Sequence, residues 1–269
     1  MQETFTTMME FIKRLAKQAG SLALADGMHL QSANIHTKET AHDLVTDTDR
    51  KVEELIITEL KKRFPEFGIY GEESGKEHAE REYCFVIDPI DGTTSFIHGL
   101  PNWCVSIGLA RNGRSVAGAV YQPTTGNLYY AEEGKGSYLN GMRIRVSERT
   151  DLGDCVLSTG FACLRAQWKE ETNLKFVARI APDISDIRKY GSAALDCCYT
   201  ASAAVDGFWE LDLKPYDISA GAAIVREAGG VVTDLFGGDE FPGRGFMCTN
   251  GKIHEKLLGY FYDYKNLRR

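Results

Sequence analysis

Tyr83-Cys-Phe-Val-Ile-Asp-Pro-Ile-Asp-Gly-Thr-Thr-Ser-Phe96 decides how this chain is read. Cys84, Phe85, Val86 and Ile87 form a short apolar run, the pattern of a strand covered on both faces. Pro89 fixes its own φ and biases Asp88 away from helix, so the strand is expected to end on a carboxylate. Asp91-Gly92 is a turn pair, and Thr93-Thr94-Ser95 reads as a helix N-cap cluster. Asp88 and Asp91 are then placed to converge on one small volume, where two carboxylates repel unless a proton or a cation offsets their charge. Backbone N–H groups at the start of the next helix suit an anion. A cation beside an anion at the end of a strand is an arrangement for handling phosphate. Taken alone, Asp-x-x-Asp-Gly is also an ordinary turn; the strand, Pro89 and the hydroxyl cluster together favour a site.

Working outward, other acids stand at element ends. Asp43-Leu-Val-Thr-Asp-Thr-Asp49 precedes an amphipathic helix carrying Val52, Leu55, Ile56 and Leu60 and ending near Phe64-Pro65. Asp49 is either a helix cap or a site acid. Phe67 to Gly71 is a short strand running into Glu72-Glu73, which read locally as an exposed turn. Lys76 to Glu82 is charged and reads as a surface loop. In Lys214-Pro-Tyr-Asp-Ile-Ser-Ala-Gly221, Pro215 stops an extended segment and Asp217 falls where a helix begins, as an N-cap would. Glu227-Ala-Gly-Gly230 closes that helix.

The remaining pattern gives the fold class. Phe5, Met8, Met9, Ile12, Leu15, Ala16, Ala19, Leu22 and Ala23 recur at helical spacing, a first helix running to about Gly27. Residues 29–42 are polar and read as a mobile loop holding His29, His36 and His42. Residues 103–110, 115–121 and 127–131 read as strands joined by turns, and residues 136–146 as a hairpin with Asn140-Gly141 at its tip. After Glu148–Asp154 strands and helices alternate, with helices expected over 170–180, 193–205 and 217–228, and a last one near 253–262. The expectation is an α/β chain with an N-terminal α+β half of about residues 1–150 and a C-terminal α/β half of about 151–269.

Composition narrows the function. The chain has 269 residues, enough for a sizeable core, with 43% hydrophobic and 26% charged residues. No apolar run has membrane-spanning length and the N-terminus lacks the pattern of a signal peptide. The net charge of −7 disfavours a general nucleic-acid surface but not a small anionic substrate held through cations. Seven scattered cysteines without a CxxC fit a reducing cytoplasm, and Cys197-Cys198 read as core filling.

Asp49, Glu72, Asp88, Asp91 and Asp217 offer only oxygen, which suits hard cations and Mg²⁺ above all. Asp88 could bridge two ions, one generating the attacking hydroxide and one stabilising the leaving oxygen. Phosphate-ester hydrolysis asks of a protein mainly charge compensation and in-line geometry. Thr93 could relay a water proton toward Asp49. No GxSxG elbow, GxGxxG or Walker A run is present.

Gly71-Glu-Glu-Ser74, Asp88-Pro-Ile-Asp-Gly-Thr-Thr-Ser-Phe96 and Tyr216-Asp-Ile-Ser-Ala-Gly221 with Glu227-Ala-Gly-Gly230 resemble the signatures of the inositol monophosphatase family. Residues 43–49 and Gly191-Ser-Ala193 match further blocks, and the resemblance covers about residues 5 to 260. It implies a single domain over 1–269 with alternating helix and sheet layers, an αβαβα sandwich as in the sugar phosphatase fold. It also implies Mg²⁺ dependence with two or three ions per site, Li⁺ sensitivity and a homodimer. By similarity, Glu72, Asp88 and the Ile90 carbonyl hold a first metal, and Asp88, Asp91 and Asp217 a second, with Glu72 on a weaker third. Asp49, Glu72 and Thr93 serve catalysis by activating water. Gly92 and Thr93 N–H groups meet the phosphate; Gly191, Ser192, Ala193 and Glu210 meet the alcohol, with Lys38 nearby. The substrate expected is myo-inositol monophosphate. Histidinol phosphate, fructose 1,6-bisphosphate or a 3′-phosphonucleotide are alternatives, as is a regulatory protein-binding role in transcription or ribosomal RNA synthesis. Direct nucleic-acid or membrane binding is not expected. Ser95, Tyr216 and Ser219 depart from the family's usual Asn, Trp and small apolar residue.

Overall fold

The computed structural model describes residues 2–27, 35–37, 44–167, 169, 172–239 and 241–263. The chain opens with α1 (Gln2–Gly27), followed by β1 (Ile35–Thr37), β2 (Leu44–Thr46) and α2 (Asp47–Arg63). Then come β3 (Gly68–Gly71), β4 (Gly75–Glu77), β5 (Tyr83–Asp91), α3 (Thr93–Ile97) and the antiparallel run β6 (Cys104–Arg111), β7 (Arg114–Gln122), β8 (Asn127–Glu132), β9 (Gly136–Leu139) and β10 (Met142–Ile144). The second half is β11 (Val156–Thr159), α4 (Ala162–Arg165), α5 (Asn173–Ile180), β12 (Asp186–Arg188), α6 (Ala193–Ala201), β13 (Gly207–Glu210), α7 (Pro215–Glu227), β14 (Val231–Thr233), β15 (Phe246–Thr249) and α8 (His254–Leu258).

Strands β3 to β10 form one eight-stranded sheet in the order β10-β9-β8-β7-β6-β5-β3-β4, and β11 to β15 a five-stranded sheet in the order β12-β11-β13-β15-β14. In the larger sheet β3 runs parallel to β5, whereas β5 to β10 alternate in direction. The apolar stripes dictate the layers. Ile12, Ala16 and Ala19 of α1 and Val52, Ile56 and Leu60 of α2 cover Phe85, Ile87 and Ile107 on one face of the large sheet. Its other face meets α6 and α7, where Ala194, Leu195, Ala220 and Ile224 pack between Val120 and Tyr129 on one side and Phe208 and Phe246 on the other. Phe176, Ile180 and Leu257 close the far face of the small sheet against Leu157, Trp209 and Met247. The result is the expected αβαβα layering.

Helix α7 approaches the large sheet at backbone distance. A Cβ on Gly118 would lie 2.5 Å from Ala220 Cα, and one on Gly108 2.6 Å from Ser219 Oγ. On its opposite side, a Cβ on Gly221 would lie 2.5 Å from Cys197 Cβ. These glycines let the helix lie between its neighbours with almost no side-chain spacer.

Several local expectations are corrected. Helix α7 starts at Pro215 with Lys214 as N-cap, because Pro at the first helical position loses no intrahelical hydrogen bond; Asp217 is therefore inside the first turn. Strand β5 continues through Pro89 to Asp91 by way of a bulge between Asp88 and Asp91. Gly92, at φ +94°, is the N-cap of α3, so Thr93, Thr94 and Ser95 lie within that helix. Gly75–Glu77 is a charged edge strand, as edges tend to be, where a loop was expected. Helix α6 stops at Ala201, four residues short of Val205, where Ala203 takes φ +62°. Within residues 29–42, Ile35–Thr37 pairs with β2 and His36 Nε2 lies 3.0 Å from Asp47 Oδ1; His29, Lys38 and His42 lie outside the described residues. Met8, Met9, Cys197 and Cys198 are core residues, as read from the sequence.

Candidate active site

Parallel strands β3 and β5 end at the same edge of the sheet, which brings Glu72 beside Asp88. The Glu72 N–H donates to the Ile87 carbonyl at 3.1 Å, and the Glu72 carboxyl group lies near enough to Asp88 to raise its pKa. The bulge turns the chain so that the Ile90 N–H donates to Asp88 Oδ1 at 3.1 Å. It also points Asp91 toward the same space. Asp217 arrives from the first turn of α7, where its carboxylate accepts the Lys214 N–H at 2.5 Å. One carboxylate oxygen from each of Asp88, Asp91 and Asp217 lies within 4.8 Å of the others. Residues far apart in sequence and from both sheets' surroundings thus form one acidic cleft.

The electrostatics follow from this crowding. Burial, then Glu72, Asp91 and Asp217, raises the Asp88 pKa well above the usual carboxylate range. Burial, then Asp91 and Glu72, does the same to Asp217. Asp91 is raised by burial, though the Ser192 hydroxyl and the Ala194 and Ala193 N–H groups oppose the shift by binding its charged form. Ser192 Oγ donates to Asp91 Oδ2 at 2.6 Å and Ala194 N at 2.7 Å, so the N-terminus of α6 grips one oxygen of Asp91. Ser192 also caps α6 by accepting from the Leu195 N–H at 3.2 Å.

Gly92, Thr93 and Thr94 form one wall of the cleft, with Gly191 and Arg165 also lining it. Gly92 has no room for a side chain, since a Cβ would lie 2.7 Å from the Asn102 carbonyl. The Thr93 hydroxyl donates to the Ile90 carbonyl at 3.1 Å. Glu210, the last residue of β13, is buried and not among the residues lining the cleft, and it accepts from the Ala162 N–H at 2.8 Å. Burial pushes its pKa up to about 7 against the pull of Arg165. Gly160 permits this position, since a Cβ there would fall 2.1 Å from Glu210 Oε2.

Asp49 is placed differently. It is buried, and its Oδ2 accepts from Thr46 N at 2.8 Å and Thr46 Oγ1 at 2.6 Å in a capping box at the start of α2. It does not line the cleft. The cap reading of Asp49 is therefore realised in the geometry, as the third residue of the α2 capping box. Of the departures noted, Ser95 is buried, Tyr216 packs edge-on against Tyr70 at 5.7 Å between ring centres, and Ser219 Oγ lies 3.0 Å from Ser115 Oγ. Arg165 is a cleft residue that sequence reading missed. A lone Arg after Gly160-Phe-Ala-Cys-Leu164 carries no signal in spacing or composition.

Layered helices and sheets surround a cleft of four carboxylates walled by a helix start, a donor set suited to a hard cation beside an anion. The chain belongs to the inositol monophosphatase family, whose model matches residues 5–266. It is 39% identical over 258 residues to the Nus factor SuhB of Escherichia coli (strain K12), covering 95% of this chain and 96% of that one. It is 35% identical over 254 residues to an inositol-1-monophosphatase of Mesorhizobium japonicum, covering 94% and 95%. The crystal structure of the extragenic suppressor protein suhB from Bartonella henselae superposes with a TM-score of 0.88 at 38% identity, covering 96% of this chain and 99% of that one. The chain is thus a phosphomonoesterase of a metal-dependent family. Its donor set fits a metal: oxygen ligands alone, crowded enough to raise one another's pKa values, are reconciled by a hard cation. No helix among the described residues is long and apolar enough to cross a membrane.

Proposed function

We propose that the chain hydrolyses myo-inositol monophosphate to inositol and phosphate, with Mg²⁺ as its cofactor. The observation that supports this most is the convergence of Asp88, Asp91 and Asp217 within 4.8 Å beside the backbone of Gly92 and Thr93. Bound divalent cations would supply Lewis-acid stabilisation and a water of lowered pKa. Glu72, Asp88 and the Ile90 carbonyl would hold one ion, Asp88, Asp91 and Asp217 a second, and Glu72 a weaker third. The N–H groups of Gly92 and Thr93 at the α3 terminus orient the phosphate. Thr93, once its hydroxyl turns from the Ile90 carbonyl, positions the attacking water and relays its proton toward Asp49, which lies outside the cleft lining, while Glu72 contributes to activation as a metal ligand. Glu210, aided by Gly191, Ser192 and Ala193, accepts hydrogen bonds from the hydroxyls of the alcohol. Because ligands come from both halves of the chain, residues 1–269 act as one catalytic unit. Cytoplasmic location, Li⁺ inhibition and a homodimer belong to the same reading.

Arg165 favours a second reading of the substrate. A cation on the rim, able to offset the charge of Glu210 and Asp91, suits an alcohol that carries another anionic group, as in fructose 1,6-bisphosphate or a 3′-phosphonucleotide. Phosphate release from inositol 1-phosphate, histidinol phosphate, fructose 1,6-bisphosphate and a 3′-phosphonucleotide, with Mg²⁺ and with chelator, tests both. Faster turnover of inositol 1-phosphate, little changed in Arg165→Ala, supports the first. Faster turnover of a bisphosphate that Arg165→Ala abolishes supports the second. The relative named a Nus factor motivates a regulatory role, which capture of transcription proteins by an Asp88→Asn variant would support.

A further inference from the structure

Glu53 stands in the second turn of α2 and is 2% exposed, an unusual place for a carboxylate. Its hydrogen bonds go to the turn that joins β3 to β4. Oε2 accepts from the Glu73 N–H at 3.0 Å and Oε1 from the Ser74 N–H at 2.7 Å. Both oxygens are thus engaged by consecutive backbone amides, and the residue just before them is Glu72. The Glu72 N–H is itself fixed on the Ile87 carbonyl of β5 at 3.1 Å. Glu72 therefore sits between two anchors, one on the strand bearing Asp88 and one on a helix across the layer. Gly71 leaves space for this clamp: a Cβ there would lie 2.7 Å from Glu53 Oε2 and 2.5 Å from Ser74 Oγ.

We infer that Glu53 is a positioning residue that sets where Glu72 presents its carboxylate in the cleft, and so tunes the metal affinity of the site Glu72 serves. The inference rests on the metal-holding role proposed for Glu72. A buried carboxylate that holds two backbone donors by charge-assisted bonds fixes a turn more firmly than solvent could. Outer partners of this kind govern ligand geometry, and their loss typically weakens metal binding about 10–100-fold.

The test is calorimetric titration of the full chain with Mn²⁺ and Mg²⁺, for wild type, Glu53→Gln, Glu72→Gln and the double variant, each checked for folding in chelator. Gln keeps one acceptor but turns an N–H₂ toward the other amide. Glu53→Gln is expected to weaken, about 10–100-fold, the same binding event that Glu72→Gln weakens. The double variant is expected to bind no more weakly than Glu72→Gln alone, because both act through one carboxylate. A role confined to stability would lower the unfolding temperature in chelator, leave the metal dissociation constant of the folded protein unchanged, and overturn the inference. If Glu53→Gln does not fold, Gly71→Ala keeps the charge but displaces the clamp, and should weaken the same event; unchanged binding in that folded variant would overturn it equally. Should Glu72→Gln weaken binding while the clamp variants do not, only the positioning role falls. Unaltered binding in Glu72→Gln would refute the ligand assignment and the inference with it.

Discussion

Neutralising one acid of the cleft should stabilise the protein when metal is absent and disable it when metal is present. Asp88→Asn is the sharpest case, since Asn keeps an oxygen for the Ile90 N–H. Two ionised carboxylates 4.8 Å apart repel by about 3.5 kcal/mol at an effective dielectric constant near 20. Proton uptake caps the handicap: holding a proton at pH 7 on a group that ordinarily titrates at 3.8 costs at most about 4 kcal/mol. Metal-free Asp88→Asn should therefore be more stable than wild type by about 2–4 kcal/mol at pH 7. Burial and the neighbouring acids raise the folded-state pKa, so the folded chain retains protons that the unfolded chain has released. The gain must consequently shrink as pH falls into the ordinary carboxylate range and plateau above the folded-state pKa. In saturating Mg²⁺ the order should reverse, because wild type gains more binding energy, and turnover of the variant should be abolished. Urea unfolding followed by circular dichroism, in chelator from pH 5 to 8 and again in Mg²⁺, reads both effects. An Asp88→Asn protein no more stable than wild type in chelator at pH 7.5 would show that the acids are not crowded as described.

Three further outcomes follow from the same geometry. Glu210 has its pKa pushed up to about 7 and accepts hydrogen bonds best when ionised, so KM should fall as pH rises through 7; steady-state kinetics on Glu210→Gln should show a KM raised about tenfold, without that pH dependence. Ser192→Ala removes both the 2.6 Å bond to Asp91 and the cap of α6. It should cost about 1–2 kcal/mol in urea unfolding and weaken Mg²⁺ binding more at pH 6 than at pH 8, because Asp91 loses a donor to its charged form. Gly118→Ala drives a methyl against the Ala220 backbone and should cost about 1–3 kcal/mol, read as a lowered melting temperature.

Much of this architecture was legible along the chain. Cys84–Ile87 announced a covered strand because both its faces are buried, but Pro89 did not end it, since a bulge carries the strand on to Asp91. Spacing misled at Pro215, where a residue that usually ends an element instead begins α7 and places Asp217 in its first turn. Gly75–Glu77 escaped notice because a short charged edge strand looks like a loop. Arg165 and Glu53 were invisible for a different reason. Their meaning lies in partners brought near by folding: Arg165 reaches a cleft built on β5, and Glu53 grips amides about twenty residues away. An isolated Arg or a Glu on an amphipathic helix reads as surface charge until the layers are assembled.

The glycines under α7 divide the pocket into two kinds of material. Where main chain rests on main chain, as Gly118 does against Ala220, there is little to compress, so the end of the cleft carrying Asp217 resists drift elsewhere in the protein. The opposite rim hangs on side chains, Glu210 against the Ala162 amide and Arg165 on a four-residue helix, which single substitutions can reshape. On the function proposed above, such a molecule can exchange one alcohol for another while the metal-holding end of its cleft stays as it is.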